Sequence, residues 1–221
     1  MKNKVLVVAL LAAIIFVPAV HSKGPLAIQD FHVGLKGLNV GGPNSYEQIN
    51  NSSIGLYGHC SGSLVDMLLS MILGDKFPVR LGDYFGTYGT MSGAMYKTDG
   101  HFPLFMNLGL LYGGFASVSL ASNIDIGVKA YNDLRLDLYD YEHMTTYTGF
   151  ITALMVRLNE LYTEIGIGFT EAKFTMFNIN ARYMMSGSNF LGVRIERSIQ
   201  TFSTIREDVH TGITLEFGTS Y

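Results

Sequence analysis

The stretch DVHTGITLEFGTSY, residues 208–221, carries two interleaved rows of side chains. From Val209 every second residue gives Val209, Thr211, Ile213, Leu215 and Phe217. From His210 the other set gives His210, Gly212, Thr214, Glu216 and Gly218. Such strict alternation is the mark of a β-strand with one apolar and one polar face. In a soluble sandwich the apolar row turns toward the core. In a membrane barrel it turns outward to lipid, and the polar row lines the lumen.

The same pattern runs through the second half of the chain. Between Ile124 and Leu138 the even row is Ile124, Ile126, Val128, Ala130, Asn132, Leu134, Leu136 and Leu138. The odd row holds Asp125, Gly127, Lys129, Tyr131, Asp133, Arg135 and Asp137. One parity held over this span exceeds an ordinary strand of about 5–6 residues and reaches the ~9–11 needed to cross a bilayer at a tilt. Residues 146–158 keep their apolar row even, through Phe150, Leu154 and Leu158. Asn159-Glu160 then reads as a two-residue turn, which pairs 158 with 161 and must switch the apolar row to odd positions. It does so: Leu161, Ile165, Ile167 and Phe169 oppose Tyr162, Glu164, Gly166 and Gly168. Composition alone does not require that switch.

Counted this way, the chain predicts about ten strands: 28–39, 54–73, 77–96, 104–120, 123–140, 145–158, 161–171, 174–185, 189–199 and 207–219. The stretch from Ser63 to Leu73 also fits a helix with Ser63 as its cap, since periodicity does not separate short apolar runs. Short links near 74–76, 121–122, 159–160 and 186–188 fall on one side. Longer ones near 41–53, 98–103 and 200–207 fall on the other, as in barrels with short periplasmic turns and long outer loops. The link at 171–173 departs from that trend.

Composition agrees. Charged residues make up 15% of the 221 residues, against roughly 25% in ordinary soluble domains. Residues 1–22 read as a secretory signal peptide: Lys2 and Lys4, an uncharged run from Val5 to Val17, then small residues before Lys23. Residues 23–221 are expected to form the barrel domain. Loss of Lys2 and Lys4 makes the formal net charge of −3 still more negative, which leaves no nucleic-acid footprint.

If the polar rows faced hydrocarbon, each basic residue would cost roughly 2–4 kcal/mol at the midplane. Several would exhaust a typical stability of about 5–15 kcal/mol. Asp125, Lys129, Glu164, Arg182, Arg194, Glu196 and Glu216 are therefore expected in the lumen, as an ion-pair network. Glycines on the same faces, Gly127, Gly166, Gly168, Gly192 and Gly212, would make room for them. A soluble β-sandwich or lipocalin-like binder explains the alternation strand by strand, but not the low charge, the export signal and the loop asymmetry together.

His210, Gly212, Leu215 and Phe217 resemble, in type and spacing, the C-terminal assembly signal of bacterial outer-membrane barrels, although Gly218-Thr-Ser-Tyr221 follows where the common version ends. The mature chain as a whole is similar to small outer-membrane β-barrel proteins of the OmpA, OmpX and porin-like kind. That resemblance implies an all-β, antiparallel up-and-down transmembrane barrel in a Gram-negative outer membrane. It also implies partners in outer-membrane lipid and the barrel-assembly machinery.

Catalytic readings are thin. Asp208-Val-His210 has the local form of an omptin-like Asp-x-His, but Asp83 has no matching partner acid. His59 and Cys60 alternate to opposite faces, and a pairing of His59 with Ser61 or Ser63 competes with the ordinary abundance of Ser in barrels. Cys60, the only cysteine, is expected to be a buried inert thiol. The six histidines show no metal-ligand spacing, and no cofactor motif occurs. A barrel of about eight strands is filled by its side chains, and 16–18 leave a channel. The expectation is a non-enzymatic barrel with a structural, surface-interaction or narrow-pore role. The competing reading is a barrel enzyme acting on lipid A or peptides.

Overall fold

The computed structural model describes residues 30–41, 51–74, 78–94, 104–139, 143–170, 173–185, 189–201 and 207–220. The leader expected over 1–22 and most of the longer links lie outside the described residues. Ten antiparallel strands form one closed barrel: β1 (Asp30–Gly41), β2 (Asn51–Gly62), β3 (Val79–Ala94), β4 (Leu104–Ala121), β5 (Ile124–Tyr139), β6 (His143–Leu158), β7 (Leu161–Thr170), β8 (Lys173–Met184), β9 (Asn189–Thr201) and β10 (Glu207–Ser220). Each strand pairs with its sequence neighbours, and β10 closes on β1 with Phe217 opposite Val33 and Glu216 opposite Gly34. Closure pairs every strand on both sides and so removes the long open sheet edges that invite aggregation; residues 79–84 of β3 extend past the end of β2.

The question set by β10 has a direct answer. Ile213, Leu215 and Phe217 are 54%, 56% and 53% exposed, whereas Thr214 and Glu216 are 0% and 1%. The apolar row points away from the barrel axis. Leu35 on β1 and Val193 on β9 flank Leu215 across the two pairings and are exposed with it. The same outward band continues through Leu56, Leu108, Leu110, Val128, Leu154 and Ile165. No helix among the described residues is long and apolar enough to cross a membrane. The strands carry the exposed apolar band.

The expected turn at Asn159-Glu160 is present: Leu158 opposes Leu161, and Asn159 adopts a left-handed φ of 54°, which Asn tolerates better than most residues. Its amide donates to the carbonyl of Asn123 in the adjacent Ser122–Asn123 turn at 2.8 Å.

One element differs from the long strand expected over 54–73. β2 stops at Gly62, and residues Leu64–Leu73 form a helix, α1. Ser63 caps it with an extended backbone, its Oγ accepting from the Asp66 amide at 2.9 Å. Gly74 ends it at φ 75°, its amide donating to Ser70 O at 2.9 Å. The reason is local: a Ser cap ahead of Leu- and Met-rich helix formers. β1, the partner that would extend the ladder, begins among the described residues at Asp30, opposite Ser61.

A second correction concerns Cys60. It lies on the same outward row as Ile54, Leu56 and Gly58 and is partly exposed rather than buried.

Candidate functional site: the filled lumen

Because side chains alternate, the register decides what the lumen holds. Large inward residues repeatedly sit beside glycine across the ladder: Arg182 and Glu216 both oppose Gly192, and Glu196 opposes Gly212. A Cβ on Gly192 would stand 2.8 Å from Arg182 Cγ, and one on Gly212 would stand 3.0 Å from Glu196 Cγ and Lys36 Cε. The glycines are the space into which these chains fold.

At the short-turn end, β1, β2, β8, β9 and β10 bring together Asp30, His32, His59, Tyr57, Arg182, Arg194 and Glu216. Glu216 Oε1 lies 2.8 Å from Arg194 Nε and 3.4 Å from His32 Nε2. Its Oε2 accepts from Arg182 Nε at 3.3 Å and Asn180 Nδ2 at 3.4 Å. Arg182 Nη1 donates to Asp30 Oδ2 at 2.6 Å. Asp30 Oδ1 lies 2.9 Å from His32 Nδ1 and 3.7 Å from His59 Nε2. The two imidazoles stack with centroids 4.7 Å apart. Phe190, fully buried, lies 4.3 Å under the Arg182 guanidinium, and Tyr57 lies under Arg194 at 5.5 Å while its hydroxyl accepts from Arg194 Nη1 at 3.1 Å. Two carboxylates, Asp30 and Glu216, face two guanidiniums, Arg182 and Arg194, and their charges balance.

The remaining charges pair outside that cluster, and aromatic rings link some of them to it: Arg182 lies 5.6 Å from the Tyr162 ring centroid and Lys36 Nζ 5.7 Å from that of Tyr57. Glu196 pairs with Lys36. Lys129 meets Glu164 at 2.8 Å, with Tyr162 also donating to Glu164 at 2.8 Å. Asp125 pairs with Arg157 and accepts from Ser119. The parity of each strand places these residues in the lumen. Which of them pair directly depends on where each strand sits around the barrel: Lys129 takes Glu164 and Asp125 takes Arg157. Asp30, His32, Lys36, His59 and Arg157 complete the groupings and were not among the expected network residues. The alternation of Phe31, Val33 and Leu35 with His32, Gly34 and Lys36 was the available signal for the residues of β1.

The other half of the lumen adds an apolar and aromatic cluster to its ion pairs, which polar-row reasoning did not anticipate. Tyr84, Leu111, Phe115, Tyr131, Ile151, Met155 and Met176 pack as one buried cluster. Lys129 Nζ lies 4.9 Å from the Tyr84 ring centroid and 5.4 Å from that of Tyr131, a cation–π setting for a desolvated ammonium.

Ser63 Oγ donates to Asp83 at 2.8 Å and caps α1, so it is engaged away from His59. Ser61 hydrogen-bonds Tyr84. Asp83 has a partner after all, but it is the start of α1 and not a second acid. His210 is buried in the lumen, and the Asp208 side chain lies outside the described residues. Asp30, His32 and His59 offer ligand atoms within 4.8 Å of one another. Arg182 occupies the same ground, with Nη2 3.4 Å from His32 Nδ1 and Nη1 on Asp30. A divalent cation there would face a guanidinium whose charge already balances the carboxylate, so this donor set does not fit a metal.

A closed ten-strand wall, apolar outside and ion-paired inside, defines a small β-barrel of the outer-membrane type. No known protein family and no curated protein matches the sequence. Among solved structures, the chain is similar to the translocator domain of the autotransporter NalP from Neisseria meningitidis, at 9% identity over 99% of this chain and 96% of that one, with a TM-score of 0.38. It is also similar to Ail, the attachment invasion locus protein of Yersinia pestis, at 10% identity over 87% and 97% with a TM-score of 0.34. The KdgM porin, solved with disordered oligogalacturonate, matches at 9% identity over 86% and 99% with a TM-score of 0.37. The functional reading rests on the wall and lumen themselves.

Proposed function

We propose that this chain is a non-enzymatic outer-membrane β-barrel of a Gram-negative bacterium. In this reading residues 1–22 direct export, and the barrel-assembly machinery inserts the mature chain through its last strand. The lumen is closed, so the barrel acts as a structural or surface-presenting element and not as an open solute channel. One observation carries this reading: neutral, buried ion pairs, backed by aromatic rings, fill the lumen from both halves of the wall. Hydrated ions crossing it would have to part Glu216 from Arg182 and Arg194, pairs held in low dielectric where separation is expensive.

Planar-bilayer recording tests this. The folded protein is expected to give no large, steady current. Arg182→Ser combined with Phe190→Ala removes the plug's largest members and is expected to give measurable openings. A large, weakly selective current from the unaltered protein would overturn the closed-lumen reading. Turnover of lipid A or peptide by the purified barrel, abolished by His59→Ala or His210→Ala, would replace it with an enzymatic one.

A further inference from the structure

α1 occupies an unusual place. The pairing of β2 with β3 ends at Gly62 opposite Phe85, yet β3 extends back to Val79 at that end of the barrel. Residues 79–84 of β3 are therefore left without β2 beside them, and α1 begins there. A Cβ on the inward-row Gly82 would stand 2.6 Å from Ser63 Oγ and 3.1 Å from the Asp66 amide. On the opposite row, Asp83 accepts from Ser63 Oγ at 2.8 Å, Val65 N at 2.7 Å and Leu64 N at 3.2 Å. Contacts with both rows of β3 put the start of α1 at the strand's edge, in line with the wall.

The helix then repeats the polarity of the strands. At about 100° per residue, Leu64, Val65, Leu68, Met71 and Ile72 share an arc of about 120°. All five are exposed, from 42% at Val65 to 77% at Ile72. Asp66 and Ser70 lie on the far side. Asp66 is buried and accepts from Arg80 Nη1 at 3.1 Å, on the inward row of β3. The polar side faces the lumen and the apolar side faces out, continuous with the exposed outward row of β3, Val79, Leu81 and Phe85. Asp83, a carboxylate on that outward row, is accommodated because the helix start supplies its donors. The exposed arc carries no cation to meet a headgroup phosphate, so the surface it fits is hydrocarbon.

We propose that α1 is a lipid-contacting segment of the barrel wall, its apolar face set among phospholipid acyl chains near the boundary of the leaflet on the short-turn side. This rests on the membrane reading of the barrel, and the test separates the two. The chain contains no Trp, so one introduced Trp reports alone. Ile72→Trp, with Met71→Trp as a second reporter on the same arc, is reconstituted into phosphatidylcholine vesicles with bromine at shallow or deep acyl positions. Leu215→Trp serves as the strand reference and Glu160→Trp as an exposed turn reference. Only preparations with folded, heat-modifiable gel mobility are read. Ile72→Trp and Met71→Trp are expected to emit to the blue of Glu160→Trp and to be quenched several-fold more strongly, most by shallow bromines. If both helix reporters match Glu160→Trp while Leu215→Trp is quenched, α1 faces water and the proposal is wrong although the barrel spans the bilayer. If Leu215→Trp is also unquenched, the membrane reading falls and takes the proposal with it.

Discussion

Replacing Glu216 by Gln keeps its shape and removes its charge. In the folded barrel this leaves Arg182 and Arg194 with Asp30 as the one carboxylate of their cluster. Glu216 is 1% exposed, and it faces Arg194 Nε at 2.8 Å, Arg182 Nε at 3.3 Å and Asn180 Nδ2 at 3.4 Å. Removing one partner of a buried ion pair costs about 3–5 kcal/mol, because the surviving charge stays desolvated. The Gln carbonyl still accepts one hydrogen bond, which puts the expected loss near the lower end, about 3 kcal/mol. With a urea slope of about 2 kcal/mol/M, the unfolding midpoint in lipid vesicles should fall by about 1.5 M. Heat-modifiable gel mobility across a urea series reads this, with Glu160→Gln in the exposed turn as a control expected within about 0.5 kcal/mol of the unaltered protein. The double variant Glu216→Gln with Arg194→Gln should lose less than the sum of its singles, since the two groups touch. A Glu216→Gln midpoint within the error of Glu160→Gln, or strict additivity in the double variant, would refute the buried-pair reasoning.

Leu215→Arg places a cation on the outward face between Leu35 and Val193 and should cost about 2–4 kcal/mol if that face meets hydrocarbon; a loss under 0.5 kcal/mol in vesicle refolding would argue against it. Gly109→Ala brings a Cβ to 2.1 Å from Tyr88 Cε1, on a ring whose hydroxyl donates to Asp133 at 2.9 and 3.0 Å. Displacing that ring should cost about 1–3 kcal/mol, and Tyr88→Ala should remove most of the penalty in a double-mutant cycle. Arg80→Met strands the buried Asp66 and should cost about 3–5 kcal/mol, while Arg80→Met with Asp66→Leu should recover much of it, both read by urea unfolding.

The wall was legible because a bilayer-facing strand leaves no freedom in parity. The switch from even to odd at Asn159-Glu160 and the unbroken row through Ile126, Val128 and Leu134 each follow from the pleat. The 54–73 region was not, because Val65, Met67, Leu69 and Met71 satisfy a two-residue period as well as a helical one. What separates them is the Ser63 cap, whose Oγ accepts from the Asp66 amide and donates to Asp83 on β3. The lumen was half legible. Parity assigns Arg182 and Glu216 to the interior, but Arg182 meets Asp30 from 152 residues away, across a distance in sequence that only closure of the barrel removes. Strand β6 hid its share: Ile151, Ala153 and Met155 are apolar and face inward, so its inner row resembles its outer one and announces no core.

Site-directed spin labelling along residues 209–217 in a reconstituted bilayer bears most directly on the orientation of the wall. Labels at 211, 213, 215 and 217 should collide freely with dissolved oxygen and be shielded from a water-soluble nickel complex, while those at 210, 212, 214 and 216 should be shielded from oxygen. A reversed alternation, with 213 and 215 protected and 214 and 216 open to the surroundings, would contradict the account at its root.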